Sequence, residues 1–194
     1  MIIMDYVPTY DEFIEKAESL SNQESLEYCD EILSHDVHTA DALLVKSACF
    51  IRLKKFEDAI LCCNKIIDLS DQKGILNITY DNKGLALSRL GKFTEALECH
   101  KKSFETGSKD REVNFTNTSM ALAGLGRHEE AIENCEKALE IDPNYSMAWN
   151  NKGYDLHKLG KSEEGLKDVE KALELDPTDE DALESKQEIL AALG

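Results

Sequence analysis

The chain has 194 residues, with 22 Lys plus Arg against 39 Asp plus Glu, and so a net charge of −17. A hydrophobic share of 42% and a charged share of 31% support a folded core and exclude wholesale disorder. The negative surface disfavours bare nucleic acid and anionic membranes as partners, and three prolines with ten glycines are too few for the turns of a sandwich or barrel.

No stretch approaches the ~20 apolar residues of a membrane helix. The opening Met1-Ile2-Ile3-Met4-Asp5 lacks a basic region and an adequate apolar run, so no signal peptide is read there and a cytoplasmic location is expected. Six cysteines (Cys29, Cys49, Cys62, Cys63, Cys99, Cys135) show no C-x-x-C spacing. They are expected to pack as small hydrophobes, and the spacing leaves open whether Cys49 approaches Cys29.

The chain repeats itself. Glu140-Ile141-Asp142-Pro143-Asn144 returns as Glu174-Leu175-Asp176-Pro177-Thr178, a shift of 34 residues. At that shift Phe115 falls on Trp149, Asn117 on Asn151 and Gly126 on Gly160. Tyr80-Asp81-Asn82-Lys83-Gly84 matches Trp149-Asn150-Asn151-Lys152-Gly153.

In chain order, residues 7–39 form a divergent first unit. Thr9-x-x-Glu12 and Ser21-x-x-Glu24 are capping boxes that predict a helix pair, with Tyr10, Phe13, Ile14, Ala17 and Leu20 as the apolar face. Its inner turn reads as one residue shorter than the others. The second unit, 40–73, carries the common turn with its glycine replaced, Leu53-Lys54-Lys55-Phe56. Gly74-Ile75-Leu76 is inserted before the third unit, 77–110, and Arg111 before the fourth, 112–145.

In the fifth unit, 146–179, Trp149, Gly153, Leu156 and Leu159 share one helical face, Gly160 supplies a left-handed stop, and Pro177 ends the second helix. Gly84, Ser119 and Gly153 on first helices, with Ala59, Ala96, Ala131 and Gly165 on second helices, allow close helix approach. Larger Leu43, Tyr80, Phe115 and Trp149 fill space between units. The tail, 180–194, reads as one capping helix with Leu183, Ile189 and Leu190 inward and charges outward.

The pattern W-x-x-x-G-x-x-L-x-x-x-G, then alanine early in a second helix, then A-L-E-L-D-P, is similar to the tetratricopeptide repeat, best over 77–179. The resemblance implies an all-α fold: a right-handed α-α superhelix, or solenoid, of five helix pairs plus the C-terminal capping helix. The whole chain, 1–194, reads as one such domain. First helices would line a concave groove.

No phosphate loop, H-E-x-x-H or G-x-S-x-G motif is present, and the five histidines show no metal-ligand spacing. Cys99 and His100 are neighbours that point ~100° apart on a helix, and His100 shares the packing column of Cys63 and Cys135. No catalytic residue, metal or cofactor is expected.

The groove is then the working surface. Asn82, Asn117 and Asn151 recur in one column of three first helices, where asparagine is a poor helix former. Two readings stand. The amides form a ladder for a bound peptide backbone, as in peptide-binding members of the family, or they hydrogen-bond between adjacent repeats. Val45 holds this column in the second unit.

Ile78, Val113 and Met147 precede the asparagines by one turn, and Leu85, Met120 and Tyr154 follow, as candidate groove floor or interhelix packing. Arg52, Arg89 and Lys158 form a row near the edge, read either as helix-dipole partners or as a site for carboxylate-bearing ligands. A carboxylate clamp for chaperone tails is not matched. Leu44 and Ala48, or Asp81 and Leu85, stand where its first-helix lysine and asparagine belong, and Val113 or Met147 replaces its third-helix lysine. The expected function is a non-enzymatic scaffold whose partner is a protein or peptide, contacted by Asn82, Asn117, Asn151, Leu85, Met120, Tyr154, Arg89 and Lys158. The alternative is self-assembly into a homo-oligomer through the divergent first unit or the cap.

Overall fold

The computed structural model describes residues 8–35, 38–107 and 110–194; Met1 to Asp5 and the Tyr10 side chain, read above, lie outside the described residues. Among the described residues there are eleven helices and no strand. They are α1 (Tyr10–Ser19), α2 (Asn22–Ser34), α3 (Thr39–Arg52), α4 (Phe56–Leu69), α5 (Lys73–Arg89), α6 (Phe93–Glu105), α7 (Arg111–Gly124), α8 (His128–Ile141), α9 (Ser146–Lys158), α10 (Ser162–Leu175) and α11 (Glu180–Leu193). Each helix packs on the next, and α3, α5, α7, α9 and α11 also touch in succession. The result is an all-α superhelix whose core is divided into several clusters along the stack.

The local chemistry explains the pairs. Both predicted capping boxes form: Glu12 Oε2 accepts from Thr9 N at 2.8 Å, and Glu24 Oε2 accepts from Ser21 N at 3.0 Å. Only Leu20 and Ser21 separate α1 from α2, whereas three residues join each later pair. Those later turns close alike. The amides of Lys55, Lys92, Arg127 and Lys161 donate to carbonyls five residues back, the bond that ends a helix through a left-handed residue. Gly91, Gly126 and Gly160 supply that residue at φ 74–80°, and in the second unit Lys54 does so at φ 57°. Between units, Asp142 and Asp176 accept from the amides of Asn144 and Thr178, both at 2.9 Å, so the Asp-Pro pairs turn the chain after the helix ends.

Two details go beyond the repeat pattern. The inserted Gly74-Ile75-Leu76 adds a first turn to α5, the longest helix at 17 residues. Three residues are nearly one helical turn, so the register beyond is preserved. Ile75 also packs on the cluster of Leu43, Cys62 and Ile66, which favours winding over looping. In α11, Ile189 is buried as predicted, but Leu183 and Leu190 are 42% and 46% exposed. The inward stripe is made by Ala182, Ser185 and Ile189 instead.

The small residues act as the pattern requires. A Cβ on Gly153 would stand 2.5 Å from the Gly165 carbonyl oxygen, and one on Gly165 2.3 Å from that of Gly153, so α9 and α10 meet backbone to backbone. Gly84 serves a different neighbour: its face is covered by the His100 ring, 2.4 Å from where a Cβ would sit.

Candidate interaction groove

Helices α5, α7, α9 and α11 line a groove of about 800 Å³. Side chains spaced three and four apart on a helix share a face, which brings the predicted columns together. Asn82, Asn117 and Asn151, the residues Leu85, Met120 and Tyr154, and Arg89 all line this groove. Ile78, Val113 and Met147 join them; Ile78 and Met147 are 46% and 43% exposed, as an uncovered apolar floor requires. Lys158 lies outside the lining, and Arg52 and Val45 do not reach it.

The asparagines divide. Asn82 Nδ2 donates to Ser47 Oγ at 3.0 Å and Asn151 Nδ2 to Ser119 Oγ at 3.4 Å, each on the preceding first helix. For Asn117 the corresponding position on α5 is Gly84, which has no hydroxyl. Asn117 is 6% exposed and has no side-chain hydrogen bond among the described residues. On the next first helix, the Oδ1 of Asn150, a lining residue, is buried without a partner. A carbonyl oxygen that is desolvated and unpaired, as Asn150 Oδ1 is, costs on the order of 1–3 kcal/mol, a cost that a bound segment's backbone N–H can remove.

The basic row is already matched within the chain. Arg89 pairs with Asp181 at 3.5 Å, reaching from α5 to α11. Lys158 Nζ lies 2.6 Å from Glu188 Oε1 and 4.6 Å above the Tyr154 ring. The hydrogen bond to Glu188 raises the Lys158 pKa, with Tyr154 adding to it. Carboxylates dominate the lining: Asp81, Asp110, Asp179, Asp181, Glu184 and Glu188 face a single Arg89. Sequence reasoning missed the four from α11 and its N-cap, because a cap helix carries no repeat register to place them.

Asp81 is held from below. Its Oδ2 accepts from Ser103 Oγ at 2.6 Å and its Oδ1 from Asn114 Nδ2 at 2.8 Å, while His100 Nδ1 lies 3.5 Å away. Ser103 thus bonds the carboxylate and not the imidazole. His100, 1% exposed with an unpartnered Nε2, is packed under Gly84. That is tethering between α5, α6 and α7, not the nucleophile–base contact of a hydrolase. All six cysteines are free and buried, and burial pushes the Cys29, Cys63 and Cys135 thiols up to about 12. Thiols so far from ionisation are poor nucleophiles and metal ligands at neutral pH. No group of three or more His, Cys, Asp or Glu able to hold a metal ion occurs among the described residues, and no described helix is long and apolar enough to cross a membrane.

Comparison with known proteins agrees with this architecture. Models of the tetratricopeptide repeat match residues 78–107, 120–145 and 146–179. MamA from Desulfovibrio magneticus superposes with a TM-score of 0.68 at 17% identity, covering 87% of this chain and 95% of that one. YrrB, described as a tetratricopeptide-repeat protein with an unusual peptide-binding site, gives 0.60 at 21% identity over 91% of each chain. The first repeat domain of Spaghetti (RPAP3), solved with the HSP90 peptide SRMEEVD, gives 0.53 at 29% identity over 60% of this chain and 92% of that one. No curated protein matches by sequence. Matched repeats, the shared turn geometry and these superpositions together make the chain a member of the tetratricopeptide-repeat family.

Proposed function

We propose that the protein is a non-enzymatic interaction scaffold that binds an extended segment of a partner protein along the α5–α11 groove. The observation that carries this reading is an apolar-floored groove in which the Asn117 amide, free of internal hydrogen bonds, stands between two flanking amides and the Asn150 Oδ1 is buried without a partner. Ile78, Leu85, Val113, Met120, Met147 and Tyr154 would take alternate side chains of the segment, and methionine adapts its shape to varied ones. Neighbours solved with peptides support peptide binding as a use of this fold. Their chaperone-tail specificity is not carried over, because Asp81, Leu85, Val113 and Met147 occupy the positions of the carboxylate clamp. Six free buried cysteines fit work in a reducing cytoplasm.

The test is affinity capture from native lysate by wild type and by a variant with Asn82, Asn117 and Asn151 all changed to Ala, with helicity checked by circular dichroism. Loss of captured partners at unchanged helicity is expected. Equal capture would remove the amide ladder from the account.

One observation favours a second reading, self-assembly through the cap. Leu183, Leu190 and Leu193 on α11 are 42–46% exposed and lie at helical spacing. Light scattering at two concentrations checks it: a mass that rises with concentration, and falls back in Leu190→Glu, supports self-assembly, whereas a monomer throughout ends it.

A further inference from the structure

We infer that the segment this groove selects is basic as well as apolar: an extended stretch alternating Lys or Arg with aliphatic side chains. The inference rests on the groove-binding reading and adds the chemistry of the partner. Two observations carry it.

The first is the charge of the lining, six carboxylates against one guanidinium. The carboxylates are not equivalent. Asp181 and Glu188 are matched by Arg89 and Lys158, Asp81 is held by Ser103 and Asn114, and Asp179 caps α11 by accepting from Ala182 N. Asp110, at the start of α7, and Glu184, in the middle of α11, are exposed and have no ion pair among the described residues. They stand on different helices of one trough, where a ligand's cations would gain and its carboxylates would be repelled.

The second observation is independent of charge and points to a backbone. The Asn150 Oδ1 is buried without a hydrogen-bond partner, the Asn117 amide makes no internal hydrogen bond, and both residues belong to the lining. Four helices side by side at ~8–10 Å make a trough on the order of 30 Å, which about eight extended residues span at ~3.3 Å each. The alternation of an extended chain then sends aliphatic side chains to the floor and cations to the carboxylates.

Three acetylated, amidated peptides of about eight residues provide the probes, leucine alternating with lysine, with serine or with glutamate, titrated calorimetrically at low salt. The lysine peptide should bind at least about tenfold tighter than the serine peptide, and the glutamate peptide weakest, with the preference shrinking as salt rises. Asp110→Lys with Glu184→Lys should remove the preference. Glu98→Lys with Glu133→Lys, the same change in net charge on exposed positions outside the groove, should leave it within about twofold.

Equal loss in both variants would overturn the inference, since net charge alone would then explain binding. Serine or glutamate peptide binding as tightly as lysine peptide, and abolished by Met120→Glu, would overturn the basic preference while leaving groove binding intact. Binding of none of the three would overturn both.

Discussion

The first two helix pairs and the later ones reach the same stacked geometry with different interiors. In α1–α4 the core is made of larger side chains, Phe13, Ile32, Leu43 and Ile66, and holds four of the six cysteines. From α5 onward the buried set turns small and polar: Ala86, Ala96, Ala121, Ala131, Gly153 and Gly165, with His100, Asn114, Asn150 and Asp155 among them. The difference teaches that the repeat specifies the stacking, while the size and polarity of the buried columns vary from unit to unit. Only the later units set amides and carboxylates along one groove.

The largest effect should come from breaking the close approach in the later region. Gly153→Val puts atoms where the Gly165 carbonyl and Val169 already sit. About 3–4 kcal/mol of stability should be lost by denaturant unfolding. Gly74→Ala, in open space on the added turn of α5, should instead stabilise by about 0.5–1 kcal/mol.

Next is the pair of Asp155 on α9 and His128 on α8. Asp155 is 1% exposed, and burial pushes its pKa up to about 6 although His128 Nδ1 lies 2.7 Å away. A carboxyl with a raised folded pKa favours the fold below its unfolded value of ~3.9, and that contribution is lost as pH rises through about 6. Ala86 and Ala121 hold this column in neighbouring units. Asp155→Ala should therefore gain about 1–2 kcal/mol at pH 7 and flatten the stability profile between pH 4 and 6. Thermal melts across that range check both.

A smaller contrast separates the asparagines. Asn82→Ala removes the bond to Ser47 and should cost about 1 kcal/mol, whereas Asn117→Ala removes no internal bond and should cost less than about 0.5 kcal/mol. Equal costs would erase the distinction between structural and ligand-facing amides. A similarly small effect is expected at the one replaced turn glycine: Lys54→Gly should stabilise the second unit by about 0.5 kcal/mol, because a lysine at φ 57° is strained.

Much of the fold was legible because the later units are near copies of one another, with glycine or Asp-Pro at each boundary. The added turn of α5 was not, because a three-residue insertion can loop or wind, and the choice lies in Ile75 meeting a cluster from other helices. The asparagine column was legible, but its division was not. Whether an amide is paired depends on a residue some 35 positions earlier, Ser47 for Asn82 and Gly84 for Asn117. The internal partners of the basic row were not legible, since Asp181 and Glu188, which pair with Arg89 and Lys158, lie on a cap helix outside the repeat register. The cap leucines misled too, because a lone final helix has no following unit to fix which face turns inward.

The central claim is that partners dock in the α5–α11 groove. A photo-crosslinking residue placed at Met120 on the floor, and in a second protein at Leu61, 59% exposed on α4, tests it directly. Exposed to the alternating leucine–lysine peptide, the protein labelled at position 120 should form the crosslinked product and the one labelled at 61 should not. Product from position 61 with none from position 120 would contradict the account.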